Sequence, residues 1–243
     1  MKNYFNKPIG ILILFLCCAQ WVSAHTINYA LEGKPFGYVF SYYLQLGFEH
    51  IIPNGFDHIL FIVSLYLLSP KLKNVLWQAT AFTIAHTLTL ILSMRGLIIA
   101  PPAIIEPIIA LSIFFVALEN VFSYHQLALS DDQANNRNSE LTVKNSSLLK
   151  RRIALVFLFG LVHGMGFASS LNEIGLPPNA FFSSLITFNI GVELGQVTII
   201  LLCYFAFGRW FSEKTWYQSR IVVPISVCIA IIAGFWTVQR LIG

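Results

Sequence analysis

Charge is what this sequence has least of. Asp, Glu, Lys and Arg make up 11% of its 243 residues while 56% are hydrophobic, and the mean hydropathy is +0.71. No soluble domain of this length carries that balance, so lipid is the solvent for most of the chain. Cysteine is scarce as well: Cys17, Cys18, Cys203 and Cys228 have no paired metal-ligand spacing and make no disulfide framework. The basic residues form no stripe and no platform interleaved with aromatics, which excludes nucleic acid as a partner despite the formal charge of +4. No internal repeat relates the two halves, which weakens any analogy with inverted-repeat transporters.

The amino terminus reads as a cleaved secretory signal peptide over residues 1–24. Lys2 and Lys7 form its basic region, the apolar core from Ile11 to Ala19 is too short to span, and Val22-Ser23-Ala24 ends it with small residues. Cleavage there leaves His25 with a free amine beside its imidazole, a pair able to chelate a metal. Residues 25–53 are then a short periplasmic and interfacial segment. Within it the apolar, aromatic stretch 37–52 is expected to lie along the outer interface or dip into it.

Apolar runs at 54–69, 75–94, 102–123, 152–171, 180–207 and 221–241 predict about six transmembrane helices. The chain is therefore an all-α, polytopic membrane bundle over 54–241. Its polar stretch at 124–150 is a solvated cytoplasmic linker between two groups of three helices. With the mature terminus outside, the inward segments hold Lys71, Lys73, Arg137, Lys144, Lys150, Arg151, Arg152, Arg209, Lys214 and Arg220, against Lys34, Arg95 and Arg240 outside. That asymmetry satisfies the positive-inside rule and implies a bacterial inner (plasma) membrane protein with a periplasmic amino terminus.

What the apolar runs do contain is a set of ionisable side chains. Counting about 1.5 Å of rise per residue from the outer boundaries puts Asp57, His58, His86, His163 and Asn189 about 5 to 14 Å deep, on four different helices. Glu106 is shallower, Glu193 lies near the midplane, and Asn54 and Asp57 are expected to cap and charge the start of the first helix. Such groups cost about 2.5 to 3.5 kcal/mol each to insert, so at one level they should face each other or water. Asn189, Glu193 and Gln196 share one helical face, as do Thr83, His86 and Thr87. Gly160 and Gly164 bracket His163, and Gly191 and Gly195 bracket Glu193, which allows close helix approach.

Three imidazoles and a carboxylate, from His58, His86, His163 and Asp57, suit a divalent transition metal: Ni, Zn, Co or Cu. Glu106, Asn189, Glu193, Gln196 and Glu119 would support that site or mark a pathway, and His25 and His50 would be outer capture ligands. The alternative is a polar network in which each His donates to a carboxylate or a backbone carbonyl. Glu119, near the cytoplasmic end of its helix, is expected to pair with a nearby Lys or Arg, an exit-site role being the alternative.

The motifs themselves are recognisable. His50-Ile51 followed by Gly55-Phe56-Asp57-His58-Ile59-Leu60-Phe61 resembles the first signature of the HupE/UreJ family of hydrogenase and urease accessory membrane proteins. Trp77 to Leu90, with Ala85-His86-Thr87 at its centre, resembles the second. Glu106-Pro107 with Ala110-Leu111-Ser112 resembles the third, Phe159-Gly160-Leu161-Val162-His163-Gly164 the fourth, and Phe188-Asn189-Ile190-Gly191-Val192-Glu193 the fifth. The chain is most similar to the second-type branch, because Pro53-Asn54 lengthens the stretch between His50 and Gly55. The resemblance implies a metal permease or metallocentre accessory protein, nickel being the usual cargo, with metalloenzyme maturation proteins as partners.

Two other functions use similar residues. An intramembrane metal-dependent hydrolase would hold zinc on three His, with Asp57 or Glu193 as general base, and a non-catalytic anchor of a maturation complex would need only a polar network. The basic asymmetry makes a prediction common to all three: reporter tags at Lys34, Gly96 and Pro178 read outside, and tags at Lys73, Asn136 and Lys214 read inside. An inside reading at Gly96 with an outside reading at Asn136 overturns the map.

Overall fold

A computed structural model describes residues 31, 34–69, 71–130, 138–174, 176 and 180–242. The expected signal peptide and His25 lie outside the described residues. Those described are helical with short turns: α1 (Phe36–Ile51), α2 (Phe56–Leu68), α3 (Leu72–Met94), α4 (Pro102–Ser130), α5 (Asn138–Ile174), α6 (Phe181–Cys203) and α7 (Val223–Ile242). A π-helical turn, Tyr204–Gly208, prolongs α6, and another, Gln218–Val222, leads into α7. Five helices are long and apolar enough to cross a membrane, or six when α1 and α2, bent by 66° at their junction, count as one span. The stretch expected as a linker is helical at both its ends, since α4 continues to Ser130 and α5 starts at Asn138.

Burial is arranged for lipid. On α6 the exposed Phe182, Ile186, Ile190 and Leu194 recur every four residues, while Leu185, Asn189, Val192 and Gln196 are buried on the opposite face. The large apolar side chains point out and the polar ones in, the reverse of a soluble bundle. Short α2 is buried throughout from His58 to Leu67. It touches α1, α3, α4, α6 and α7, so a helix with no polar stripe has no exposed face to need one.

Glycine sets how closely the rest approach. A Cβ on Gly47 of α1 would run into the carbonyl of Phe188, and one on Gly191 of α6 into that of Leu44 and the nitrogen of Phe48. Residues 44 to 48 thus lie backbone to backbone with 188 to 191. The pairing of Ile51 with Gly195 continues the same register, so α1 runs parallel to α6. The stretch expected to lie along the interface or dip into it packs lengthwise against α6, with Phe36, Tyr38, Phe40 and Gln45 on its exposed face.

The same device joins α3 to α5, where a Cβ on Gly160 or Gly164 would strike the carbonyl of Phe82 or of His86. These two helices are parallel as well. By contrast α3 and α6 are antiparallel, Thr80 and Thr83 meeting Glu193 while Thr87 meets Asn189. So are α4 and α7, where Asn120 meets Ser226 and Glu106 meets Arg240. The directions alternate as six crossings require if α1 and α2 are one bent span.

The break between them falls at 52–55. Gly55, and not the expected Asn54, is the residue at the helix start, and no side chain caps it. The turn is too tight for another residue there, since a Cβ on Gly55 would meet the carbonyl of His50. The glycine contacts predict a clear contrast. Gly164→Ala and Gly191→Ala each destabilise the protein by about 1–3 kcal/mol through overpacking. Gly37→Ala, with nothing within 4 Å of the added carbon, leaves stability unchanged or slightly higher. Thermal melting in detergent distinguishes them, and equal melting of all three variants overturns the close approach.

Candidate metal centre

Because α1 ends and α2 begins at the bend, the two strongest ligand types on this stretch are folded onto each other. His50 stands in the last turn of α1 and His58 in the first turn of α2, their ring centroids 4.7 Å apart. His86 joins from α3, with its ring 6.0 Å from that of His50 and 6.2 Å from that of His58. Among the described residues, one ligand atom from each of His50, His58 and His86 lies within 4.8 Å of the others. His163, from α5, is 5.2 Å from His58 and completes a group of four imidazoles. His86 stands eight residues before the end of α3, about 12 Å of rise. The group therefore sits well inside the bundle.

The tautomers follow from what each ring touches. His163 Nδ1 lies 2.9 Å from the carbonyl oxygen of Phe159. A carbonyl can only accept, so Nδ1 carries the proton and Nε2 presents a lone pair. His58 Nδ1 lies 3.1 Å from Asp57 Oδ1, and the same oxygen accepts the backbone N–H of His58 at 2.9 Å. The carboxylate thus orients the ring with Nε2 free, as a carboxylate behind a metal-ligating histidine does. His58 and His163 Nε2, His50 Nε2 and both nitrogens of His86 are buried without a hydrogen-bond partner among protein atoms. Leaving such a group unpaired costs about 1–3 kcal/mol, so an arrangement of five invites a ligand.

Aromatic rings close the group on two sides. Phe167 lies 3.8 Å from His50 and stacks at 11° on Phe188. Phe82 lies 4.9 Å from His163 and 5.8 Å from His58. In this buried, ring-lined setting no protein donor competes with a cation for these nitrogen lone pairs.

The remaining candidates are sorted by position. Glu193 accepts hydrogen bonds from Thr80 at 2.8 Å and Thr83 at 2.6 Å, and Thr83 also reaches Gln196 at 3.2 Å. Asn189 accepts from Thr87 at 2.6 Å and donates to the Leu185 carbonyl at 2.8 Å. These residues form a polar seam between α3 and α6 beside the imidazoles. Glu106 is exposed, and its backbone oxygen accepts from Arg240. Glu119 pairs with Arg152 at 3.4 Å, the arginine partner that the sequence allowed for. His50, expected only as an outer capture ligand, is brought among the others. The signal for it was present in the sequence: two histidines eight residues apart across Pro53-Asn54-Gly55, where a helix must break.

The HupE / UreJ protein family model matches residues 28–240, nearly the whole chain, so the chain belongs to the HupE/UreJ family. A comparison with curated proteins and with solved structures found no match.

Proposed function

We propose that this HupE/UreJ family member is a carrier of a divalent transition metal, nickel, cobalt, zinc or copper, through the inner membrane. The cation is its cargo, held in the bundle by His50, His58 and His86 with His163 as a neighbouring donor. Asp57 fixes the His58 ring, and the seam of Asn189, Glu193 and Gln196 holds α3 and α6 in register beside it. The observation that carries this reading is the set of buried imidazole nitrogens with no protein partner, three of the rings offering ligand atoms within 4.8 Å of one another. Imidazole donors without thiolate suit those metals.

The alternatives lack support of that kind. A structural polar network would give each histidine a carbonyl or carboxylate; His58 and His163 have one, but neither nitrogen of His86 does. A hydrolase needs a free carboxylate as general base. Asp57 is engaged with His58, and both oxygens of Glu193 accept threonine hydroxyls.

Purified protein therefore binds about one equivalent of Ni, Co, Zn or Cu. His50→Ala, His58→Ala and His86→Ala each weaken binding by more than 100-fold, whereas Asp57→Asn, which alters only the orientation of a ligand, weakens it by about 10- to 100-fold. Binding also weakens as pH falls, since protons compete for the same nitrogens. Metal analysis and isothermal titration on monodisperse protein measure these effects. Full metal content in all three folded alanine variants, or no binding by the wild type, overturns the assignment.

A further inference from the structure

Three stripes run along α1, each recurring every four residues. Val39, Tyr43, Gly47 and Ile51 are buried, on the side that packs against α6. Phe40, Leu44 and Phe48 form an open apolar stripe beside them. Ser41, Gln45 and Glu49 form a polar one, with Ser41 and Gln45 exposed and Glu49 partly so. Gln45 Nε2 donates to Glu49 Oε1 at 2.7 Å, a bond within the stripe itself. One turn beyond Glu49 the polar edge ends on Pro53 and Asn54, both exposed, and the Asn54 N–H donates to the Glu49 carbonyl at 3.1 Å.

This polar edge reaches hydrocarbon depth. His50, the residue after Glu49, lies 6.0 Å from His86, which stands about 12 Å of rise from the outer end of α3. A carboxylate at such a level faces protein or water rather than lipid, and a non-helical turn there is buried or lines an aqueous space. Among the described residues nothing covers Ser41, Gln45, Pro53 or Asn54, all of which are exposed.

The metal centre is open at the same place. The Asp57 side chain is 24% exposed, against 6% for His58, whose Nδ1 lies 3.1 Å from Asp57 Oδ1. Along the bundle axis, by contrast, rings shut the imidazoles in. One turn from His163 toward the outer end of α5, Phe167 lies 3.8 Å from His50 and stacks on Phe188. One turn toward the basic end, Phe61 lies 5.2 Å from Phe82 and 6.2 Å from Phe159.

We propose that the divalent cation enters sideways, along a water-filled furrow bounded by the polar face of α1 and ending at the Pro53-Asn54 turn, where Asp57 is the first side chain of the metal centre that it meets. This inference rests on the carrier reading above. Glu49 gives the furrow a negative charge that draws a hydrated cation inward. At its end His58 engages Asp57 Oδ1, which leaves Oδ2 for the incoming ion. The bend that brings His50 and His58 together is thus also the gap through which they are loaded.

Thiol labelling tests the furrow directly, because the thiolate is the reactive form and ionisation needs water. In right-side-out vesicles, full-length Gln45→Cys and Asn54→Cys react with a membrane-impermeant maleimide roughly tenfold or more faster than Ile190→Cys. Ile190 is 44% exposed on α6 at the level where Gly191 packs on Leu44 and Phe48, but it faces lipid. Peptide mapping separates these sites from Cys203 and Cys228. Equally slow labelling of all three variants puts lipid or a second copy of the chain over the face and overturns the furrow. Failure at Asn54 alone stops the water short of the metal centre and overturns it too. If one cysteine variant does not fold, the other decides. With zinc or nickel ions as the probe, purified Glu49→Gln keeps the wild-type stoichiometry but associates about threefold more slowly at low salt, a difference that vanishes at high salt. Wild-type association at low salt overturns the furrow as the cation's route. A wild type that binds no metal overturns the metal centre and the route with it, whereas metal binding without labelling overturns the route alone.

Discussion

A helix can be interrupted inside a bilayer only where the backbone groups it frees find partners within the protein. At 52–55 they do: Ile52 N–H donates to the Phe48 carbonyl at 2.8 Å, Asn54 to Glu49 at 3.1 Å and Gly55 to Ile51 at 3.3 Å. The turn therefore satisfies itself, and the chain can bend by 66° without exposing unpaired amides to lipid. The imidazole group depends on that bend. In a continuous helix, residues eight apart are about 12 Å apart along the axis, and His50 and His58 could not share a ligand.

The bend alone would not suffice without close walls around it. Gly47 and Gly191 hold α1 against α6, and Gly160 and Gly164 hold α3 against α5, at distances where a single added carbon meets a backbone atom. His163 and His86 stand on the second of these contacts. The glycine that lets α5 approach, Gly164, packs on the carbonyl of His86 itself. Packing and ligand placement are thus one feature of the sequence, and lipid gives no hydrophobic drive between helices that could substitute for it.

The family signatures resembled in the sequence therefore combine two functions. In the second and fourth, each histidine sits among the small or hydroxyl residues that bring its helix into contact. In the fifth, Glu193 and Asn189 bind threonines of the second and align α3 with α6. A carboxylate held by two hydroxyls is satisfied without a cation. The imidazoles beside it, by contrast, have buried nitrogens without a protein partner.

Much of this could be read from the sequence alone. Apolar length and scarce charge determine that the chain lies in a membrane as a helical bundle, because lipid tolerates no other backbone arrangement of such runs. Helical spacing put Asn189, Glu193 and Gln196 on one face and marked the glycines beside His163. Spacing within a helix cannot say which helices are neighbours, and that decided the rest. Glu106 and Glu119 share the same apolar helix, yet Glu106 is exposed and Glu119 meets Arg152 of α5. His50 looked interfacial because the apolar, aromatic stretch 37–52 precedes the first long run. Only the parallel packing of α1 on α6 and the self-satisfied turn after it bring that ring to His58 and His86. The sequence determined which chemistry is present; the folded contacts between distant segments decided which residues share it.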